Sequence, residues 1–178
     1  HLWRTCTRAR NLDLNTEVLC SFALNGRDKL NPPIPKSYYG NVVFAVNVRM
    51  LVSQLINGTP SSIAPQIRKA VTDVNESHIR SIIDWVEQQP DKSLIQVTAE
   101  YDGKYFGGSS WAKFQKHDLI DFGDGTPIKQ RRPGKTPDLD GLFMILGAED
   151  GVDVYLTLQT EKLEILEQDP EFKKFIIP

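Results

Sequence analysis

The chain has 178 residues, of which 40% are hydrophobic and 25% charged, and its formal net charge is −2 at pH 7. These values are typical of a globular protein that can bury a substantial core. No run of Lys or Arg is longer than two residues, so a basic surface for nucleic acid is excluded. No stretch of roughly eighteen apolar residues is present, which excludes a predicted membrane span.

Cysteine is scarce. Only Cys6 and Cys20 occur, with no CxxC pair and no histidine at zinc-binding spacing. This usage argues against a disulfide framework and against a structural metal site. It predicts a protein of a reducing, cytosolic compartment.

The first ten residues read as the interior of a helix, with Leu2, Cys6 and Ala9 on one side. No capping residue, initiator Met or signal segment stands before them. We therefore expect either that the polypeptide continued upstream or that the remainder is a separate chain.

Residues 16–25 and 41–48 are rich in β-branched and apolar side chains and are predicted to be buried strands. A proline-rich stretch, 31–35, makes a stiff extended connection between them. From 61 to 88 apolar residues recur at helical spacing, in one piece or two, until Pro90 ends the pattern.

Further along, strands are predicted at 95–101 and 109–114, on either side of a glycine-bearing loop. A long ordered loop, 118–140, precedes a hairpin whose strands are 141–146 and 152–159.

Thr160 is expected to cap the last helix, and Asp169-Pro170 to cap one more turn. Without repeats or linkers, this order predicts one α/β domain with a mixed sheet flanked by helices.

Arg27 follows Asn25-Gly26 at the end of a predicted strand, where a side chain can be aimed. Its planar cation suits a carboxylate or a phosphate, although a solvated turn arginine has the same local sequence. Gly40 permits close backbone approach and Asn41 offers an amide, but a turn glycine and a strand-capping Asn explain them equally.

Several short motifs occur along the chain in an order that is informative about its family. They are HLWR-x3-RAR, NGR-x-KLNPPIP-x3-YGN, HIRSIIDWVEQQP, SSWAK and DFGDG-x-P, followed by a hairpin and a helix. In this order they resemble the C-terminal half of the BAHD acyl-CoA-dependent acyltransferases, whose signature is DFGWG. The resemblance implies two similar α/β domains of the chloramphenicol acetyltransferase type, with the active site in a tunnel between them.

The resemblance also implies how the chemistry is divided. The catalytic histidine belongs to an HHxxxDG motif in the N-terminal half, which would be this chain's partner. That histidine deprotonates a hydroxyl or amine of a small-molecule acceptor, which then attacks the thioester of acyl-CoA. Acyl-CoA is thus a co-substrate, and no bound cofactor is implied.

By the same resemblance, Ser109 is the catalytic candidate, as a donor to the developing oxyanion or to the acceptor hydroxyl. Trp111 becomes an apolar wall for the acceptor, and Asn25, Gly40 and Asn41 belong to the acyl-CoA channel. From local sequence alone, the favoured interpretation is instead that Trp111 is a core residue and that Ser109 and Ser110 are polar strand residues.

Four residues are assigned structural roles. We predict that Arg27 pairs with Asp121, and that Gly123 and Gly125 shape the loop so fastened. Asp124 stands where the family has Trp, which is more like fungal relatives than plant ones.

Gln96 aligns with an arginine that grips the acceptor carboxylate in hydroxycinnamoyl-CoA shikimate/quinate transferases. A neutral amide disfavours a carboxylated acceptor.

Other patterns near this loop are rejected. His117 and Asp121 spell HxxxD, but the expected glycine is Phe122 and no second histidine precedes, so the match is attributed to chance. Asp118, Asp121 and Asp124 lack the spacing of a cation loop. DFG occurs without the other kinase motifs.

The sequence thus predicts the C-terminal half of an acyl-CoA-dependent acyltransferase. The competing hypothesis is a non-catalytic binding module that retains the fold.

Overall fold

A computed structural model describes residues 1–95, 103–113, 121–125, 140–148 and 151–176. Its five strands form one sheet in the order β2-β1-β3-β4-β5. Strands β1, β3 and β4 run parallel, and β2 and β5 lie antiparallel at the edges. The strands are β1 Glu17–Asn25, β2 Val43–Leu51, β3 Tyr105–Ser110, β4 Leu142–Ala148 and β5 Gly151–Thr157. The predicted mixed α/β sheet is confirmed.

Six α-helices accompany the sheet in the described residues, with short 3₁₀ turns at Arg27–Lys29 and Lys92–Leu94. The helices are α1 Leu2–Arg10, α2 Val52–Asn57, α3 Pro60–Asp73, α4 Glu76–Gln88, α5 Thr160–Gln168 and α6 Pro170–Lys173. Within these ranges, no helix combines the length and the apolar content that crossing a bilayer requires.

The helical stripe predicted over 61–88 is two helices, because each has its own cap. The hydroxyl of Thr59 accepts from the Ser62 backbone amide at 3.2 Å, and the Ser62 hydroxyl accepts from the Thr59 amide at 3.0 Å. The Asn75 side chain accepts from the His78 amide at 3.0 Å and opens α4. Side-chain oxygens thus satisfy amides that a helix start leaves free.

The C-terminal caps follow the prediction in part. Asp169 caps α6 as expected, accepting from the Glu171 amide at 2.8 Å. Thr160 does not cap α5: it is the first helical residue, and Gln159 occupies the cap position without a side-chain bond. The backbone amide of Gln159 instead donates to the Asp140 carboxylate at 3.2 Å, so a residue 19 positions earlier in the chain holds the start of this helix.

The helices pack on one face of the sheet, here called the core face. Cys20, Phe106 and Phe143 lie on it, and the Phe106 and Phe143 rings stack with centroids 4.8 Å apart. The largest buried cluster on this face joins strands to α1, α2, α3 and α5, and comprises Trp3, Cys6, Ala9, Val18, Cys20, Val48, Met50, Val52, Leu55, Ile63, Phe106, Phe143 and Leu166. Alternate strand residues point to the opposite side, the second face, and those of β2 are exposed.

Strand β3 differs from the prediction. It begins at Tyr105 and includes Gly107 and Gly108, which the sequence placed in a loop. An added Cβ on Gly108 would overlap the backbone oxygen of Phe143 on the neighbouring strand. Glycine here permits close strand approach and is not a breaker. The predicted strand 95–101 lies outside the described residues except for residue 95, and of the predicted loop 118–140 only residues 121–125 and 140 are described.

A buried ion pair ties three elements together. The Arg10 guanidinium, at the end of α1, lies 3.0 Å from the carboxylate of Asp140, and the two side chains are 3% and 10% exposed. Asp140 precedes β4 and also holds the amide of Gln159. The guanidinium lies against Gly141, where φ is +87° and a Cβ would overlap it.

Candidate active site

The three parallel strands have their carboxyl ends on the same side of the sheet, at Asn25, Ser110 and Ala148. In open α/β sheets, the carboxyl ends of parallel strands are where ligands bind. Two predicted site residues, Asn25 and Ser109, lie at these carboxyl ends, and the connection containing Arg27 begins there. The topology therefore brings together residues from distant parts of the sequence.

Ser109 projects from the second face. It pairs with Met144 on β4, and Met144 pairs in turn with Tyr155 on β5. The next residue, Ser110, pairs with Ile145, which packs against the core cluster. The two hydroxyls thus point to opposite faces, and only Ser109 faces away from the core.

Sequence reasoning did not single out Met144 or Tyr155. Both are half-buried and lie in the same cross-strand row as Ser109. The signal was present in the hairpin, because counting back from its turn fixes which residues share a face.

Trp111 directly follows β3. Its backbone amide donates to the Ile145 carbonyl at 2.7 Å, which keeps the chain beside β4. Its side chain is 36% exposed, so it is not a core residue. An exposed indole two residues after Ser109 in the chain is compatible with the predicted wall.

Arg27 does not form the predicted ion pair with Asp121, and no ion pair joins them among the residues that the structure describes. Its guanidinium donates to the carbonyls of Tyr38 at 3.2 Å and Gly40 at 2.7 Å. The Asn25 side chain accepts from the Arg27 guanidinium at 3.3 Å and from its amide at 3.1 Å. Asn25 ends β1, and Tyr38 and Gly40 lie in the connection that follows it, so the arginine donates to acceptors within its own stretch of chain.

The glycines of this connection allow close packing. A Cβ on Gly26 would lie 2.6 Å from the Phe44 ring, and one on Gly40 would overlap the Tyr38 ring. Asn41 is exposed at the start of the return to β2. Gly40 is thus approached by a side chain of its own segment, which sequence reasoning did not anticipate.

Asp121 organises its own loop. One carboxylate oxygen accepts from the amides of Gly123 at 2.7 Å and Gly125 at 3.1 Å. Both glycines have positive φ, +105° and +98°, a conformation that side chains disfavour. The shaping role predicted for these glycines is therefore compatible with the turn.

Gln96, His117 and Asp118 lie outside the described residues. The two thiols offer no nucleophile, since burial raises the pKa of Cys6 and of Cys20 to about 12. In the part of the chain that is described, no cluster of three or more His, Cys, Asp or Glu side chains could hold a metal ion.

A cavity of about 600 Å³ lies elsewhere. Its walls include Val152, Val154 and Leu156 of β5, with aromatic residues of the C-terminal segment. The partners of Val154 and Leu156 on β4 are core-face residues, so the cavity is on the opposite side of the sheet from Ser109. It is not the candidate site.

The fold is that of known acyltransferases. TRI101 from F. sporotrichioides, solved with coenzyme A and T-2, superposes with a TM-score of 0.86 at 24% identity, over 97% of this chain and 41% of that one. This is the chloramphenicol acetyltransferase-like architecture.

The family is established by sequence. A model of the transferase family matches residues 1–173. Hydroxycinnamoyltransferase 1 from Oryza sativa subsp. japonica is 31% identical over 99% of this chain. The Avena sativa hydroxycinnamoyl-CoA:5-hydroxyanthranilate N-hydroxycinnamoyltransferase HHT4 is 30% identical over the same share. The chain belongs to the transferase family of BAHD acyltransferases, which confirms the resemblance. It spans only 38% of the length of each of these two relatives.

Proposed function

We propose that this chain forms the C-terminal part of an acyl-CoA-dependent acyltransferase acting on a hydroxyl or amine of a small molecule. The observation that carries the proposal is the family match over residues 1–173. The N-terminal part of the same enzyme, as a longer chain or a separate one, would supply the proton-abstracting histidine. We further propose a cytoplasmic enzyme of secondary metabolism.

In the reaction, the histidine of the N-terminal part accepts the proton of the acceptor nucleophile. The nucleophile attacks the thioester carbonyl, a tetrahedral oxyanion forms, and its collapse releases the coenzyme A thiolate, which takes up the proton. Ser109 would donate its hydroxyl hydrogen to the oxyanion, which selectively stabilises the transition state. Its position on the second face, with exposed Trp111 two residues later in the chain, supports this role.

The names of the relatives suggest the donor. The rice and oat relatives are both named as hydroxycinnamoyltransferases, and the oat enzyme is named as an N-hydroxycinnamoyltransferase, which acts on an amine. We therefore propose a hydroxycinnamoyl-CoA or related aromatic acyl donor. Gln96 favours an acceptor without a carboxylate, so Gln96→Arg should improve turnover of shikimate- or quinate-like acceptors relative to neutral alcohols.

The test is thiol release by the protein carrying both parts, with acetyl-, malonyl- and hydroxycinnamoyl-CoA against alcohols and amines. Ser109→Ala should lower kcat roughly 100- to 1,000-fold, the usual effect of removing one oxyanion donor. Ser110→Ala is the matched control, because that hydroxyl leaves the same strand on the opposite face.

Equal, small effects of the two substitutions would remove Ser109 from the chemistry. Tight coenzyme A binding without turnover of any acceptor would favour the non-catalytic binding module over the enzyme.

A further inference from the structure

We propose that Arg27 is a positioning residue that holds the backbone of Tyr38–Asn41 in place as a wall of the acyl-CoA channel. The channel role rests on the proposed function. The fastening itself rests only on contacts of the described residues and can be tested separately.

Arg27 holds the connection between β1 and β2 at two places. Its carbonyl accepts from the Ile34 amide at 3.0 Å. Its guanidinium donates to the carbonyls of Tyr38 and Gly40, at 3.2 and 2.7 Å. Arg27 therefore contacts the connection both at Ile34 and at Tyr38 and Gly40, close to where the chain returns to β2.

The segment has little else to hold it. Tyr38, Tyr39 and Asn41 are exposed, Tyr39 fully so, and the three residues before the segment, 35–37, are exposed as well. Without buried side chains, an ordered conformation must be maintained by polar contacts that offset the lost backbone entropy. Directly after the segment, the Gly26 amide donates to the Val42 carbonyl at 2.9 Å, and the β1–β2 pairing begins with Asn25 opposite Val43.

Asn25 has a supporting role in this arrangement. Its side-chain oxygen accepts from both the amide and the guanidinium of Arg27. The resemblance assigned Asn25 to acyl-CoA binding. Its contacts instead favour orienting the arginine, which then presents its other nitrogen to the two carbonyls.

A lysine can replace this arginine only in part. The planar guanidinium offers several donors in fixed directions, so it can serve Asn25, Tyr38 and Gly40 at once. An ammonium group is a single point of charge and would reach fewer of these acceptors.

The first experiment measures opening of the segment without reference to activity. A lysine-specific protease cleaves after Lys36, an exposed residue two positions before the segment, whose access to the protease depends on the same connection. Cleavage that follows fast opening and closing reports the open population. Arg27→Gln should accelerate cleavage at Lys36 about tenfold, equivalent to about 1.4 kcal/mol. Arg27→Lys should fall between Arg27→Gln and the unsubstituted protein.

Two controls separate opening from general loss of stability. Arg49→Gln removes an exposed arginine of β2 that pairs only with Glu17 among described residues, and it should leave the rate at Lys36 unchanged. Cleavage after Lys69, in the middle of α3, should not change in any variant. Equal rates at Lys36 in Arg27→Gln and in unsubstituted protein would overturn the proposal.

The second experiment tests the channel role in the active protein. Arg27→Gln should raise KM for acyl-CoA about tenfold, with kcat and the acceptor KM changed less than twofold. Faster cleavage with an unchanged KM would overturn the channel role and retain the fastening. A protein without any turnover would refute the proposed function, while the proteolysis result would still decide the fastening.

Discussion

The ion pair between Arg10 and Asp140 gives the sharpest stability prediction. The substitution is Asp140→Asn, which keeps the size of the side chain and an oxygen that can still accept from the Gln159 amide. Only the negative charge is removed. The guanidinium of Arg10 then remains 3% exposed without a described counter-charge.

The expected loss follows from the geometry. Opposite charges 3.0 Å apart attract by about 5 kcal/mol at an effective dielectric constant near 20. Measured costs of breaking buried pairs, about 3–5 kcal/mol, agree with this figure. Such a loss is a large part of the about 5–15 kcal/mol that stabilises a typical protein. The thermal midpoint should fall by roughly 10 °C.

Urea unfolding of the purified protein measures the effect. Asp73→Asn is the matched control, because Asp73 pairs with Lys69 at 2.6 Å on an exposed helix surface. Its cost should be about 0.5 kcal/mol or less. Arg10→Met added to Asp140→Asn should recover part of the loss, since no buried charge remains. If Asp140→Asn and Asp73→Asn cost the same, the argument from burial is wrong.

Three further outcomes are expected. Gly141→Ala should destabilise far more than Gly151→Ala: both positions have positive φ, but only at Gly141 would the added Cβ meet protein atoms, and denaturation midpoints give the comparison. Burial raises the pKa of Cys6 and of Cys20 to about 12, so native protein should not react with a thiol reagent at pH 8. Rapid labelling of the native thiols would contradict this prediction. The free energy of unfolding should also fall as the pH rises above about 9, because the thiols ionise there in the unfolded chain but not in the folded one. Partial burial opposes the shift, but hydrogen bonds from following amides and a nearby arginine hold the pKa of Asp169 below its ordinary value. The stability it contributes should therefore be lost as the pH falls below about 4, and Asp169→Asn should flatten that dependence in acid titrations of unfolding.

Local patterns predicted the elements that local forces determine. The strand ending at Asn25 and the paired helices of 61–88 follow from periodicity and caps. β3 was misplaced because Gly107 and Gly108 look like a loop until a neighbouring strand is seen to require their small size. The six-residue helix α2 was not predicted. The partnership of Arg10 with Asp140 gave no sequence signal, since the two residues are far apart along the chain.

At the candidate site, too, local sequence predicted some features, and others depended on contacts between distant residues. Motif order indicated Ser109 and Trp111, and strand register then separated Ser109 from Ser110. For Arg27 the sequence predicted an ion pair with Asp121, whereas its guanidinium donates to main-chain carbonyls. Main-chain carbonyls carry no sequence signature, so Tyr38 and Gly40 could not have been chosen as acceptors from residue types.

The sheet order also has a consequence for biosynthesis. Strand β1 pairs on one side with β2, the next strand along the chain, but on its other side with β3, where Leu19 lies opposite Tyr105. On the ribosome, α3 and α4 emerge while that side of β1 still offers unsatisfied peptide groups. Pairing so distant in sequence is slow and leaves the nascent chain prone to association. Yield should therefore depend on chaperone supply and growth temperature more strongly than the stability of the finished protein would suggest.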